Sequence, residues 1–331
     1  MATSPGEQKT SAAVRVAALD AARGAAVVAM VAFHLVWDLG NFNYIDPDIP
    51  FSPGFKLIGH AIATSFLFIA GVSLVLAHRQ KAGWRPFRRR LFIISGAAAL
   101  VSLGTWLAYP QAFVFFGILH CIAAASLLAA PLLTAPWPAA AAAALAFGLA
   151  PLLYSSPIFN TRWLAWIGFA GVEPLTNDYQ PLAPWAAALF AGVAAAKFWS
   201  ARFSGDPDSS VFSSREAAPA SLENTLGAAC WLGRRSLAVY LLHQPALFAL
   251  FGLLALLGAA PAARVSGGFL EACSAQCEKG GGEKTACRDI CSCTEEKASR
   301  DASLALAADE GERALIVNRL AQACLSDRLA R

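Results

Sequence analysis

Seven apolar stretches of this chain each approach the length of a bilayer crossing, and nothing else in it constrains the fold as strongly. A helix rises about 1.5 Å per residue, so about 20 apolar residues cover a hydrocarbon core of about 30 Å. The stretches are Gly24–Tyr44, Phe55–His78, Leu91–Tyr109, Ala112–Pro131, Trp137–Tyr154, Pro181–Trp199 and Ser236–Gly258. The fifth is Ala-rich and the sixth is short, which leaves a count of eight open. Lipid offers no partners to backbone polar groups, and the stretches do not alternate as barrel strands do, so they read as helices. The expected fold is all-α, a polytopic transmembrane helical bundle. Met1–Arg23 is polar and its first apolar run continues into a full span, so no signal peptide is read there.

Composition agrees. Of 331 residues, 57% are apolar and 15% charged, and the mean hydropathy is +0.51. Soluble domains sit nearer about 45–50% and about 25%. The net charge of +4 is modest and argues against a nucleic-acid partner. Charge is uneven: 27 of residues 1–262 carry it, against 21 of the 69 in 263–331. The expected division is a membrane domain over 1–262 and a water-soluble Cys-rich tail over 263–331.

Basic residues set the orientation. The N-terminus (Lys9, Arg15, Arg23), the loop Arg79–Arg90 and the connection Lys197–Arg235 hold 14, whereas the opposite loops hold only Lys56 and Arg162. That asymmetry puts the N-terminus in the cytoplasm, and seven spans export the C-terminus. Within the long connection, Phe203–Ala220 reads as a flexible loop. An integral protein of a bacterial inner membrane, with its tail in the periplasm, is expected.

Ionisable groups at membrane depth are expensive, so each is a candidate for function. At about 100° per residue, Asp20, Arg23, His34 and Asp38 share one stripe about 60° wide on the first span. Asp20–Arg23 and His34–Asp38 are also spaced for plain structural pairs. A carboxylate behind His34 would fix its tautomer and raise its basicity for general-base work. Ser236, Tyr240 and His243 share a face of the last span, with Gln244 beside them; a packed polar seam is the competing reading. His120 lies mid-span beside Cys121, where a hydrogen-bonded core role competes with a tunnel role, and His60 lies near the outer end of the second span. In NDYQPLAPW, Asn177 and Asp178 are placed either to meet a polar acceptor or to cap a helix. Trp37, Trp163, Trp166 and Trp185 read as an interfacial aromatic belt. There is no Gly-rich phosphate loop, no GxSxG and no metal-spaced cluster, so no metal is expected.

Five blocks resemble one family. RVAALDAARGAAVVAMVAFHLVWDLGNF, ATSFLFIAGVSLVLAHR, FVFFGILHCIA, NDYQPLAPW and WLGRRSLAVYLLHQP are similar, in order and over roughly Arg15–Leu250, to the bacterial branch of the heparan-alpha-glucosaminide N-acetyltransferase catalytic family. LD-x-x-RG alone is shared with broader membrane acyltransferases; the other blocks together are specific. The resemblance implies a membrane acetyltransferase taking acetyl from cytosolic acetyl-CoA, with phosphates near Arg23, its neighbour Asp20, and Arg89. The lysosomal member delivers acetyl across the membrane to a glucosamine amine. That branch has Asn at the position of His34 and an active-site His in the following loop. Here the loop is NFNYIDPDIP, without His. Either His34, backed by Asp38, has taken the catalytic role or the chemistry differs. His60, His120, Tyr240 and His243 are then tunnel candidates, and Asn177 and Asp178 face an amino sugar or envelope glycan. Membrane lipid is the other expected partner, and a homodimer is compatible with the sequence. Two rival readings are a proton-coupled transporter of a small solute, against which there is no repeat symmetry, and a scaffold presenting the tail.

The tail's cysteines read C-x3-C-x9-C-x3-C at Cys273, Cys277, Cys287 and Cys291, followed by Cys293 and Cys324. At i,i+4 each pair shares a helix face, and Gly280–Gly282 is a natural hairpin turn. An antiparallel helical hairpin pairs Cys273 with Cys291 and Cys277 with Cys287, in keeping with an oxidising compartment. Zinc is the alternative, although the spacing suits it less well. A further amphipathic helix is expected over Asp301–Arg331.

Overall fold

A computed structural model describes residues 17–46, 48–79, 84–203, 220–257, 259, 269–301, 303–304 and 310–329. Lys9, Arg15, Lys81, Arg215 and nearly all of the expected loop 203–220 lie outside them. The described residues are helical, with no strand beyond an isolated bridge between Phe116 and Tyr179. The body holds α1 (Ala17–Asn41), α2 (Pro53–Arg79), α3 (Trp84–Ala108), α4 (Ile118–Thr134), α5 (Trp137–Leu153), the short α6 (Arg162–Ala165), α7 (Leu182–Phe203), α8 (Ala220–Arg234) and α9 (Ser236–Leu256). The tail holds α10 (Phe269–Lys279), α11 (Lys284–Arg300) and α12 (Glu310–Leu329).

Among the described residues, five helices, α1, α2, α3, α7 and α9, are long and apolar enough to cross a membrane, whereas α4 and α5 have 17 residues each. The fourth stretch loses its first turns for a physical reason. Instead of winding, residues 112–116 pair with the 176–180 loop: Asn177 N–H donates to the Ala112 carbonyl at 2.9 Å and Gln180 N–H to the Phe116 carbonyl at 3.1 Å. At the other end of α4, which carries Pro131 in its last turn, Lys197 Nζ donates to the carbonyls of Leu132, Leu133 and Ala135, oxygens that a helix end leaves without partners.

Helix α2 packs against α7 because small residues let the backbones close up. A Cβ at Gly71 would strike the Leu189 carbonyl, and one at Gly192 the Phe68 carbonyl. Around that contact lies the main core, in which Leu67, Cys121, Ala125, Leu189 and Val193 are completely buried. Outward faces are the reverse: Phe92 is 81% and Leu153 83% exposed, as helices set in lipid require.

One helix went unseen in the sequence. Helix α8 falls within the connection read as cytoplasmic loop, yet it packs along α1, with Gly24 against the Ala229 carbonyl and Gly233 against the Asp20 carbonyl. Its 15 residues mix polar with small apolar ones and give no span-length signal. Contacts His34–His243, Asp38–Gln244 and Phe42–Phe248 follow one another along both α1 and α9, so these helices run in the same direction. The tail therefore leaves from the end of the bundle where α1 finishes.

The tail pairing matches the helical-hairpin expectation: Cys273–Cys291 and Cys277–Cys287 are disulfides, and Cys293–Cys324 is a third, tying α12 to α11. Arg313 on α12 donates to Asn41 Oδ1 at 2.7 Å, which fastens the tail to the end of α1.

Candidate functional site

A cavity of about 3270 Å³ runs between the helices, lined from α1, α2, α3, α4, α8, α9, the 175–180 loop and α12. It is several times larger than the roughly 300–1,000 Å³ of a usual small-ligand pocket. Among the residues singled out in the sequence, it is lined by Arg23, His34, His60, Arg89, Asn177, Asp178, Tyr240 and His243. Asp20, Asp38 and His120 are not among its lining residues.

At the end where α1 begins, Arg23, Arg85, Arg89, Arg90 and Arg234 all line the cavity. Arg23 is fixed by Asp20 Oδ1 at 2.9 Å and by Ser73 Oγ at 2.9 Å. Asp20 thus acts behind Arg23 rather than on the cavity itself. Among the described residues no carboxylate pairs with the other four arginines. Five guanidinium groups with one partnered carboxylate give this end the charge and donors that could hold a polyanion. A coenzyme-A donor, with its several phosphate oxygens, fits that donor set.

Midway, the polar stripes of α1 and α9 face each other. The rings of His34 and His243 lie 4.9 Å apart, centroid to centroid. His243 Nδ1 is 2.8 Å from the Tyr240 carbonyl and 3.2 Å from that of Val239. Carbonyls only accept, so Nδ1 carries the hydrogen, and in the neutral ring Nε2 is the lone pair. That Nε2 is buried with no hydrogen-bond partner among the described residues.

The i,i+4 pair expected between His34 and Asp38 is not made. Asp38 is 0% exposed; its Oδ1 accepts from Gln244 Nε2 at 3.0 Å, and its Oδ2 has no partner among the described residues. The reason is rotational: the Asp38 side chain turns into the α1–α9 seam, where Gln244 meets it, while His34 faces the cavity. Gln244 lies about 40° from Tyr240 on the α9 wheel, so the sequence carried a signal for it.

His120 is held away from the cavity. Its Nδ1 accepts from Gly117 N–H at 3.3 Å, its Nε2 lies 3.1 Å from Ser102 Oγ, and Phe116 lies against the ring at 5.6 Å. It occupies the hydrogen-bonded core alternative. His60 lines the cavity with its ring 5.2 Å from Trp185, edge to face. Trp37 also lines the cavity and Trp166 packs on Phe116, whereas Trp163 is 88% exposed. Trp163 therefore suits the interfacial belt, and the other three turn inward.

At the far end, Asp178 does two things. Its Oδ2 accepts from Ile118 N–H at 3.0 Å, capping α4 from a distant loop, and it also lines the cavity. A Cβ at Gly117 would collide with that carboxylate, so the glycine permits the cap. Burial pushes the Asp178 carboxyl up to about 6, against hydrogen bonds from Ile118 and Gln180 that pull it down. Asn177 lies beside it on the wall. Among the described residues, no group of three or more His, Cys, Asp or Glu is placed to hold a metal ion.

Helices with lipid-type outer faces around a largely apolar cavity, with arginines at one end and histidines midway, are those of a membrane protein with an internal binding chamber. Residues 15–245 match the family profile of heparan-alpha-glucosaminide N-acetyltransferase, catalytic, and the chain belongs to that family of acetyltransferases. No curated protein and no solved structure matches the chain. The match ends inside α9, so the disulfide-bonded tail lies outside the matched residues.

Proposed function

We propose that the protein transfers the acetyl group of acetyl-CoA, held at the arginine end of the cavity, to an amino sugar or envelope glycan entering from the opposite end. The observation that carries this reading is one continuous chamber with five arginines at one end and two facing imidazoles between the ends. By the positive-inside rule the arginine end is cytoplasmic, in a bacterial inner membrane, and the tail is periplasmic.

The donor supplies a thioester, whose carbonyl carbon is attacked by the acceptor's amine or hydroxyl. Arg23, Arg85, Arg89, Arg90 and Arg234 hold the phosphates, with Asp20 and Ser73 keeping Arg23 aimed. His34 and His243 hold the proton: the lone pair on His243 Nε2 takes it from the attacking group as the new C–N or C–O bond forms. The same imidazole returns it to the thiolate as the C–S bond breaks. Asp38 and Gln244 lock the α1–α9 seam that sets the distance between the two rings. His60, Asn177, Asp178 and Tyr240 orient the acceptor.

The test is incubation of the purified full chain with labelled acetyl-CoA and mixed amino sugars, read as CoA release and labelled sugar. Transfer that needs both components supports the reading. Solute uptake into vesicles without any CoA dependence overturns it in favour of a proton-coupled transporter.

A further inference from the structure

Among the described residues of the tail, four cations are in ion pairs, and Lys284 and Arg288 lie exposed without one. Lys297 meets Asp327 at 2.7 Å, Arg300 meets Glu296 at 2.8 Å, Arg319 meets Asp301 at 3.3 Å and Arg328 meets Asp289 at 2.9 Å. Arg313 has no carboxylate partner among the described residues. Its one hydrogen bond there goes to a neutral amide, Asn41 Oδ1 at 2.7 Å, and its Nε is buried with no acceptor. It lines the same cavity as the histidines, on the outer side, where Lys56 is the other lining cation. Its charge is felt by the Tyr109 hydroxyl inside the chamber, as is that of Asp38. The position is built rather than incidental, because Cys293–Cys324 fixes α12 to α11 and two further disulfides fix α11 to α10.

Arg313 is half-buried, but its Nε is shut away from solvent and unpaired, and a charged donor left so costs more than an ordinary hydrogen bond returns, so the position favours an oxyanion. We infer that Arg313 completes the outer mouth of the chamber as a subsite for a carboxylate or phosphate carried on the sugar acceptor. The tail is then part of the binding site, although it lies outside the residues that match the family. This inference rests on the acceptor entering from the outer end.

The test reads binding rather than turnover, so it stands apart from the acetyl-transfer reading. Full-length protein in detergent is titrated with glucosamine, glucosamine 6-phosphate, muramic acid and inorganic phosphate, without acetyl-CoA. At least one charged sugar is expected to bind about tenfold more tightly than glucosamine. The phosphate and carboxylate arms identify which anion the site takes. In Arg313→Gln that preference falls below about threefold, while Arg313→Lys keeps part of it. Intact disulfides on a non-reducing gel and an unchanged melting midpoint show that the variants are folded. The inference is overturned if wild-type protein binds charged and neutral sugars alike, or if Arg313→Gln keeps the preference. It is also overturned if inorganic phosphate binds equally to wild type and variant with no sugar preference. Absence of acetyl transfer to any sugar would sink the proposed function and leave this binding result legible.

Discussion

The two ends of the cavity are built differently. At the end where α1 begins, five arginines gather, Arg23 and Arg234 on α1 and α8, which close up through Gly24 and Gly233, and Arg85, Arg89 and Arg90 on α3, and one carboxylate, Asp20, tempers the charge through Arg23. At the other end the wall is made of loop and tail: Asn41, Lys56, Asn177, Asp178 and Arg313, with both charge signs and neutral amides. A concentrated, rigid cationic end recognises one polyanion tightly. A mixed end made from connecting segments is the kind that varies while the scaffold stays fixed. On the proposed function, the contrast separates the donor site from the acceptor site. The imidazoles between the ends serve both and depend on neither.

The strongest way to break that picture is to remove the shared centre. His243→Ala is expected to lower acetyl transfer by about 10²–10⁴-fold, the usual worth of a positioned general base. His34→Ala should also lower it, whereas His120→Ala, off the cavity, should act on stability and barely on the KM for either substrate. Equal losses for His120 and His243 would mean that the chamber is not where the proton moves. Next in size is the donor end. Arg89→Gln with Arg90→Gln is expected to raise the KM for acetyl-CoA by about 10–100-fold, with an accompanying loss of salt dependence, and to leave the acceptor's KM within about twofold. A matching rise in the acceptor's KM would show that the ends are not separate. Smaller again is an indirect route to the same end. Gly233→Val forces α8 away from the Asp20 carbonyl and moves Arg234 with it, which should raise the acetyl-CoA KM by about fivefold and lower the melting midpoint, at about 1–3 kcal/mol of overpacking.

The arginine cluster and the tail's disulfides were legible in sequence, and the centre of the cavity was only half so. Arg23 and Arg89 stand out because isolated or clustered charge beside an apolar run is a strong signal, and the cysteine spacing carried the hairpin's geometry directly. The wheel put Arg23 and His34 on the cavity side, as the structure does. It failed on Asp38 because a shared stripe says that two residues face one way, and says nothing about a neighbouring helix with a better partner. Gln244 supplies that partner across the chain. Helix α8 was missed because its signal is small residues at a crossing rather than hydrophobicity, and such spacing has meaning only once α1 is beside it. Arg313 carried no signal at all. In sequence it is one arginine in a charged tail, and its distinction, that it reaches the cavity with a buried and unpartnered Nε, exists only in three dimensions.

The smallest effect probes the acceptor wall without any substrate. Asp178 caps α4, and its carboxyl is raised from its ordinary value of 3.8 to about 6 by burial. Between those values the folded protein holds a proton that the unfolded chain releases. The raised value therefore favours the fold fully below about pH 4, and the advantage disappears as pH climbs through about 6. Because Asp178 lines an open chamber, solvent screening trims the effect to about 1–2 kcal/mol. Asp178→Asn keeps an oxygen for the Ile118 N–H and removes the titration. The melting midpoint of the wild type should fall between pH 4 and 7 by a few degrees more than that of the variant, and the two should converge at the acid end. Parallel profiles would mean that Asp178 is already as well solvated as a surface carboxylate. The outer wall would then be open to bulk water rather than closed by the 175–180 loop and the tail, and an acceptor would have far less there to displace.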